Sequence, residues 1–132
     1  MTIAELNEVR DLRAELNREL DRQRSLEGTI NSLIPSLDGL PRSRSFTSRT
    51  EKFATLLVDT SEIIRDLNER ILTATVTLAE KIFMTDLSNI ERDILILRYV
   101  KCLSFKRVAS EINLSIDYIF RLHRSALKKT VR

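Results

Sequence analysis

The sequence predicts an all-α protein: a long antiparallel helical hairpin, coiled-coil-like, followed by a smaller helix-turn-helix domain. Three observations carry that expectation. Glycine and proline occur only twice each in 132 residues and tryptophan not at all, a composition that favours helix. Apolar residues recur at alternating three- and four-residue spacing along two long stretches, as they do on helices that pack along a seam. Ser-x-x-Glu pairs precede the second and third helical stretches, a pattern that caps helix starts.

The first helix is read from Val9, Leu12, Leu16, Leu26, Ile30 and Leu33, with Glu19 and Gln23 at the two polar seam positions between them. Ile3, Leu6 and Leu20 widen the stripe. Such a seam needs a partner, because an isolated helix would leave it wet. The stretch "LIPSLDGLPRSRSFTS" contains both prolines and breaks the pattern, so residues 35–47 read as a connection. Ser48 with Glu51 is a capping box that marks the start of the second helix. Phe53, Leu57, Ile64, Leu67, Ile71, Ala74 and Leu78 then continue the spacing to about Met84. A connection of this length lets the two helices fold back on each other. Val9, Leu12, Leu16, Leu57, Ile64, Leu67 and Ile71 form the seam of that hairpin or of a dimer. Residues 1–84 are read as this hairpin and residues 87–132 as the second domain.

A third helix opens at Ser88 and Glu91, a second capping box, and carries Ile90, Ile94, Leu95, Leu97 and Tyr99 to an end near Lys101–Cys102. The stretch "SFKRVASEINLSIDYIFRLH", Ser104 to His123, has the parts of a helix-turn-helix in register. Ala109 is the small residue where the two helices cross. Asn113 stands at the sharp turn, where a left-handed backbone is required and Asn is the next most tolerant residue after Gly. Val108, Ile112, Leu114, Ile119 and Leu122 lock the helices together, and Ser104 and Ser115 are suited to cap them. Each feature is common alone, and their coincidence over twenty residues is not.

With Ser115 as the cap of a recognition helix, Ser115, Asp117, Tyr118, Arg121 and Arg124 line its groove-facing side, with Phe120 near the edge. Arginine pairs bidentately with guanine, which makes Arg121 and Arg124 the leading candidates for base readout. Ser104, Lys106, Arg107, Lys128 and Lys129 flank them as candidate phosphate contacts. Lys128 and Lys129 also suit the negative end of a helix dipole. Charge follows the same division. Residues 87–132 carry ten Lys/Arg against four Asp/Glu, a net of +6, while residues 1–86 carry twelve against fifteen, a net of −3. The basic end is where a polyanion is expected to bind.

The stretch "LSNIERDILILRYVKCLSFKRVASEINLSIDYIFRLHRSALKK" resembles region four of bacterial sigma factors, the module that reads the upstream promoter element. The likeness runs through "ER…L.LRY", "LSF..VA", "LS...I" and the closing "AL". With the N-terminal helices and "GLPRSRSFTSRTEKFA", most of the chain is similar, more loosely, to the ArpU/RinA-like group of phage late-transcription regulators. That resemblance implies activation of phage late genes through promoter DNA and bacterial RNA polymerase, in the cytoplasm of a bacterial host. Nothing in the chain resembles the sigma region that melts the other promoter element, so it is not expected to act as a sigma factor alone. Two departures stand out: sigma modules place Gly where Cys102 stands, which predicts a different backbone there, and Asn113 replaces the turn Gly.

Other classes are disfavoured. With 42% hydrophobic residues in 132, one or two small domains can form but not a large enzyme with a deep pocket. No apolar run approaches the ~20 residues of a membrane span. "MTIAELNEVR" lacks the basic start and apolar core of a signal peptide, so a cytoplasmic protein is expected. His123 and Cys102 are the sole residues of their kinds, too few for a metal site. His123 reads as a packed helix residue or one near the DNA backbone, and Cys102 as a small hydrophobe. Gly28 and Gly39 are isolated and form no phosphate cradle. Glu15 and Glu19 stand among Arg18 and Arg22 at helix-surface spacing, which suits solvated pairs better than acid–base chemistry. Neither a cofactor, a small-molecule substrate nor enzymatic activity is expected. The segment "PRSRSFTSR", with Arg42, Arg44 and Arg49, is a loop or an arm that touches DNA. One module spans few base pairs, so a homodimer held by the long helices is expected. The rival readings are a DNA-packaging adaptor, whose helices would build a ring, and a polymerase- or sigma-binding protein that does not bind DNA.

Overall fold

A computed structural model describes residues 1–33 and 44–131. It contains α1 (Ile3–Leu33), α2 (Arg44–Met84), α3 (Asn89–Leu95), a π-helical turn over Ile96–Val100 that prolongs α3, α4 (Phe105–Ile112) and α5 (Ile116–Thr130). No strand occurs among the described residues, so the fold is all-α. The helices α1 and α2 form the antiparallel hairpin: Glu5 pairs with Lys81 at 3.2 Å, and Gln23 donates to the Ser61 hydroxyl at 2.9 Å.

The second helix begins earlier than its capping box suggests. Arg44 to Thr50 are already helical, so Ser48 lies inside α2 and does not start it. No proline or glycine follows Pro41 in this stretch, and Arg, Lys, Glu and Ala propagate a helix readily. Of the expected connection at 35–47, residues 44–47 therefore belong to α2, and the rest lies outside the described residues. Arg42 lies there too, whereas Arg44 and Arg49 stand on the first turns of α2.

Packing groups the chain into two compact units, Met1–Arg13 with Arg70–Arg132, and Ala14–Glu69. Each of the two long helices contributes residues to both units. In the first unit, Leu6 and Val9 of α1 and Leu78 and Ile82 of α2 share a core with Leu87, Leu95, Tyr99 and Ala126. A second core in the same unit joins Ile94, Val108, Ala109 and Ile119, with Leu97, Leu103, Phe105, Ile112, Leu114 and Leu122 packed against it. Leu12 is buried and Ile71 half-buried in this unit.

The second unit is a bare stretch of hairpin. Thr60 and Leu67 are its only fully buried residues among those described, while Leu16, Leu57 and Ile64 are half-buried. Within α2 the Ser61 hydroxyl donates back to the Leu57 carbonyl at 2.9 Å, and that of Thr60 to Leu56 at 2.7 Å, so the Gln23–Ser61 bond is the polar link across the seam. Arg22 pairs with Glu19 at 3.0 Å on the surface of α1, a neighbour pair one helical turn apart.

Candidate nucleic-acid interface

The site is assembled from the N-termini upward. Ser88 caps α3, accepting from the Glu91 amide at 3.2 Å while Glu91 returns a bond to the Ser88 amide at 3.4 Å. The Ser104 hydroxyl accepts from the Arg107 amide and the Ser115 hydroxyl from the Tyr118 amide, each at 3.3 Å, which starts α4 and α5. Asn113 ends α4 with φ 62° and ψ 41°. Its own amide and that of Leu114 both converge on the Ala109 carbonyl. This left-handed cap satisfies orphan carbonyl capacity at the helix end and turns the chain sharply. Val108, Ala109 and Ile119 are buried, and Ile112, Leu114 and Leu122 half-buried against them.

The turn before α4 departs from the expectation of an altered backbone at Cys102. Cys102 itself adopts φ 58°, the conformation that favours glycine, at a cost of about 1–2 kcal/mol for an L-residue. Surrounding bonds hold it there. The Lys101 amide reaches the Ile96 carbonyl at 3.0 Å, the wide π-type closure, and the Leu103 amide reaches Leu97 at 3.0 Å. The Arg98 guanidinium donates to the Leu103 carbonyl at 2.9 Å and lies over the Phe105 ring, 4.3 Å from its centroid. Phe105 in turn meets the Phe120 ring at 5.0 Å. One arginine thus clamps the turn and the aromatic pair that joins α4 to α5.

Along α5 the 100° step per residue places Asp117, Arg121, Arg124 and Lys128 on one face, opposite buried Ile119 and Ala126. All four are exposed, as are Ser104, Lys106 and Arg107 at the start of α4 and Ser115 at that of α5. Tyr118 is 44% exposed and Phe120 41%. Lys128 and Lys129, adjacent in sequence, are separated by the helix. Lys128 joins the charged row, whereas the Lys129 ammonium pairs with Glu91 Oε1 at 2.8 Å. Glu91 is only 4% exposed. The Lys129 ammonium, and then the bonds to Ser88, hold its carboxyl below the usual range, against the opposing effect of burial. Lys129 therefore ties the end of α5 to the start of α3, with half of its side chain still in water.

His123 is half-buried in the domain. Its Nε2 is 2.7 Å from the Tyr99 hydroxyl, and the Phe105 ring stands edge-on at 4.9 Å. Burial, and then the nearby Arg98 charge, lower the His123 pKa, and burial raises that of Tyr99. Among the described residues no group of three or more His, Cys, Asp or Glu is placed to hold a metal ion. Likewise, no described helix is long and apolar enough to cross a membrane.

The sequence contains no signal for three of these contacts: Glu91–Lys129, Tyr99–His123 and Arg98–Phe105. Glu91 and Lys129 are 38 positions apart, and nothing in local spacing joins them. The Ser88–Glu91 box is the one clue to the acidic partner.

The domain is similar to a known one. Residues 83–129 match the family model of sigma-70, region 4, a span from the end of α2 nearly to the end of α5. Comparison with curated proteins and with solved structures yields no match. The C-terminal part of the chain is therefore a helix-turn-helix similar to sigma-70, region 4.

Proposed function

We propose that the protein is a sequence-specific DNA-binding transcriptional regulator, acting at a promoter together with bacterial RNA polymerase. Its role as an activator of phage late genes follows from the resemblance to the ArpU/RinA-like group. The observation that carries the DNA-binding reading is the exposed row Asp117, Arg121, Arg124 and Lys128 on α5, beside Lys106 and Arg107 at the start of α4. In this reading α5 enters the major groove. Arg121 and Arg124 pair with guanine edges, and Asp117 accepts from a cytosine amino group. Ser104, Lys106, Arg107 and Lys128 hold the phosphates on either side and set the register. Lys129 contributes less than Lys128 because its ammonium is shared with Glu91. The work of the site is binding and not catalysis.

Two copies are proposed to act together, since one module covers too few base pairs for useful specificity. Val9, Leu12 and Leu67 are consumed by burial within one chain, so a dimer must use other residues. Leu72, Val76 and Phe83 recur on one face of α2, each half or more exposed, and this row is the proposed contact with the second copy. A monomer by light scattering at micromolar concentration would refute the dimer.

Footprinting on genomic fragments tests the function. The wild type should protect discrete sites upstream of an operon, and Arg121→Ala/Arg124→Ala should lose them. Arg121→Ala alone is expected to cost about 1–3 kcal/mol on the selected site, whereas Lys106→Ala should weaken all sequences alike and reduce the salt slope by about 1. Protection that is absent or uniform in wild type and mutant would instead favour the packaging or polymerase-binding readings.

A further inference from the structure

The charged row of α5 has an apolar row beside it that packing inside the domain covers only in part. Ile116 and Phe120 stand one helical turn apart, 40% and 41% exposed, each one position before Asp117 and Arg121. They occupy the first two turns of α5, the part of a recognition helix that meets base edges. Each leaves part of its apolar surface in water at that place, which an apolar group of a ligand would cover favourably.

The contacts of Phe120 show which flank of α5 this is. Its ring meets Phe105, the first residue of α4, so the Ile116–Phe120 row lies on the side toward the start of α4, where Lys106 and Arg107 are exposed. Phosphate contacts from α4 and base contacts from α5 must be made to one duplex. Tyr118, two positions from Phe120, is turned about 160° away from it. Phe120 is also the better anchored ring, since Phe105 beneath it is stacked under the Arg98 guanidinium.

Resting on the DNA-binding reading above, we infer that Ile116 and Phe120 are specificity-determining residues that recognise the C5 methyl group of thymine beside the guanine read by Arg121. The edges of the base pairs in the major groove offer one apolar group, the thymine methyl. The cationic side chains Arg121, Arg124, Lys106 and Arg107 around the row draw in the polyanion that presents it. Tyr118 stands outside this contact.

A methyl-deletion scan tests the assignment. The preferred duplex is first selected from random sequences with the full chain, and each thymine is then replaced in turn by deoxyuridine, which removes the methyl and leaves the pairing edge intact. One or two replacements should weaken wild-type binding about three- to fivefold, the transfer value of one methyl group. Ile116→Ala and Phe120→Ala should each lose that discrimination, and Tyr118→Ala should keep it. Phe120→Ala also removes the Phe105 contact, so Ile116→Ala, at an exposed first-turn position, keeps the test decisive if the other variant melts early. A flat scan on a specifically selected site, or undiminished sensitivity in both variants, would overturn the inference while leaving the regulator reading intact. Failure to select any site would overturn the regulator reading and this inference with it.

Discussion

The C-terminal helix-turn-helix and the hairpin segment 14–69 have similar apolar periodicity and opposite degrees of burial. In the former, Ile94, Val108 and Ile119 are completely buried, because α3, α4 and α5 close around them from different directions. In the latter, the seam residues Leu16, Leu57 and Ile64 are only half-buried. Two helices share a single line of contact, and a side chain on that line still sees water at its edges. A third helix crossing the pair removes that access. Periodicity therefore announces which residues face a partner, but the number of partners sets how much they contribute.

Truncation inside the two regions is the strongest test of that contrast. Ile119→Ala should cost about 2–5 kcal/mol in urea or thermal unfolding, whereas Ile64→Ala should cost clearly less, on the order of 1 kcal/mol. Equal losses would show that the hairpin segment is buried by something else, such as a second copy, and melting at two concentrations would then separate the cases.

A smaller effect is expected at the ion pair. Lys129→Met leaves the Glu91 carboxylate buried with only its Ser88 bonds and should cost about 1–3 kcal/mol. The sign with pH is definite. The Glu91 pKa is lowered on folding, so the folded state binds fewer protons than the unfolded one. The pair's stabilisation is then complete above the ordinary glutamate value of 4.5 and is lost as pH falls through the lowered value. In Lys129→Met the acid decline below about pH 4.5 should flatten. An unchanged acid limb would mean that Lys129 does not hold Glu91 in solution.

The His123 contribution operates nearer neutrality. Its pKa is lowered on folding, so stability is complete above about pH 6.5 and declines as pH falls from there toward the lowered value. Melting temperatures at pH 7.5, 6 and 5 should show this slope for the wild type and lose part of it in His123→Gln. The smallest effect belongs to the turn. Cys102→Gly relieves a left-handed L-residue but adds chain entropy to the unfolded state, so it should be neutral or stabilising by at most about 1 kcal/mol. A clear loss would mean that the weak thiol contacts to the Tyr99 and Val100 carbonyls matter more than backbone strain.

Much of the candidate site was legible because its signals are local. Ser88, Ser104 and Ser115 cap helices by reaching amides three residues away, and Asn113 adopts the left-handed conformation its side chain tolerates. Spacing puts Asp117, Arg121 and Arg124 on one exposed face of α5, but Tyr118, expected beside them, is turned about 100° away from Asp117, and Ser115 is the cap. Local rules misplaced the start of α2, where a capping box at Ser48 lies within a longer helix. A cap is a preference of about 1 kcal/mol, and continued helical bonding overrides it where no residue breaks the chain.

What the sequence determined by itself is helical class, the burial of Ala109 where α4 packs on α5, and the charged identity of the exposed side of α5, since each depends on neighbours within about two turns. Tertiary structure alone decided that Leu6 and Val9, at the start of α1, share a core with Tyr99 and Ala126. It also decided that Lys129 turns to Glu91 while Lys128 stays with the charged row, and that Arg98 clamps Phe105. Those choices depend on which distant surfaces meet, and the energy that selects them comes from burying apolar area and pairing buried charge across positions that no periodicity connects.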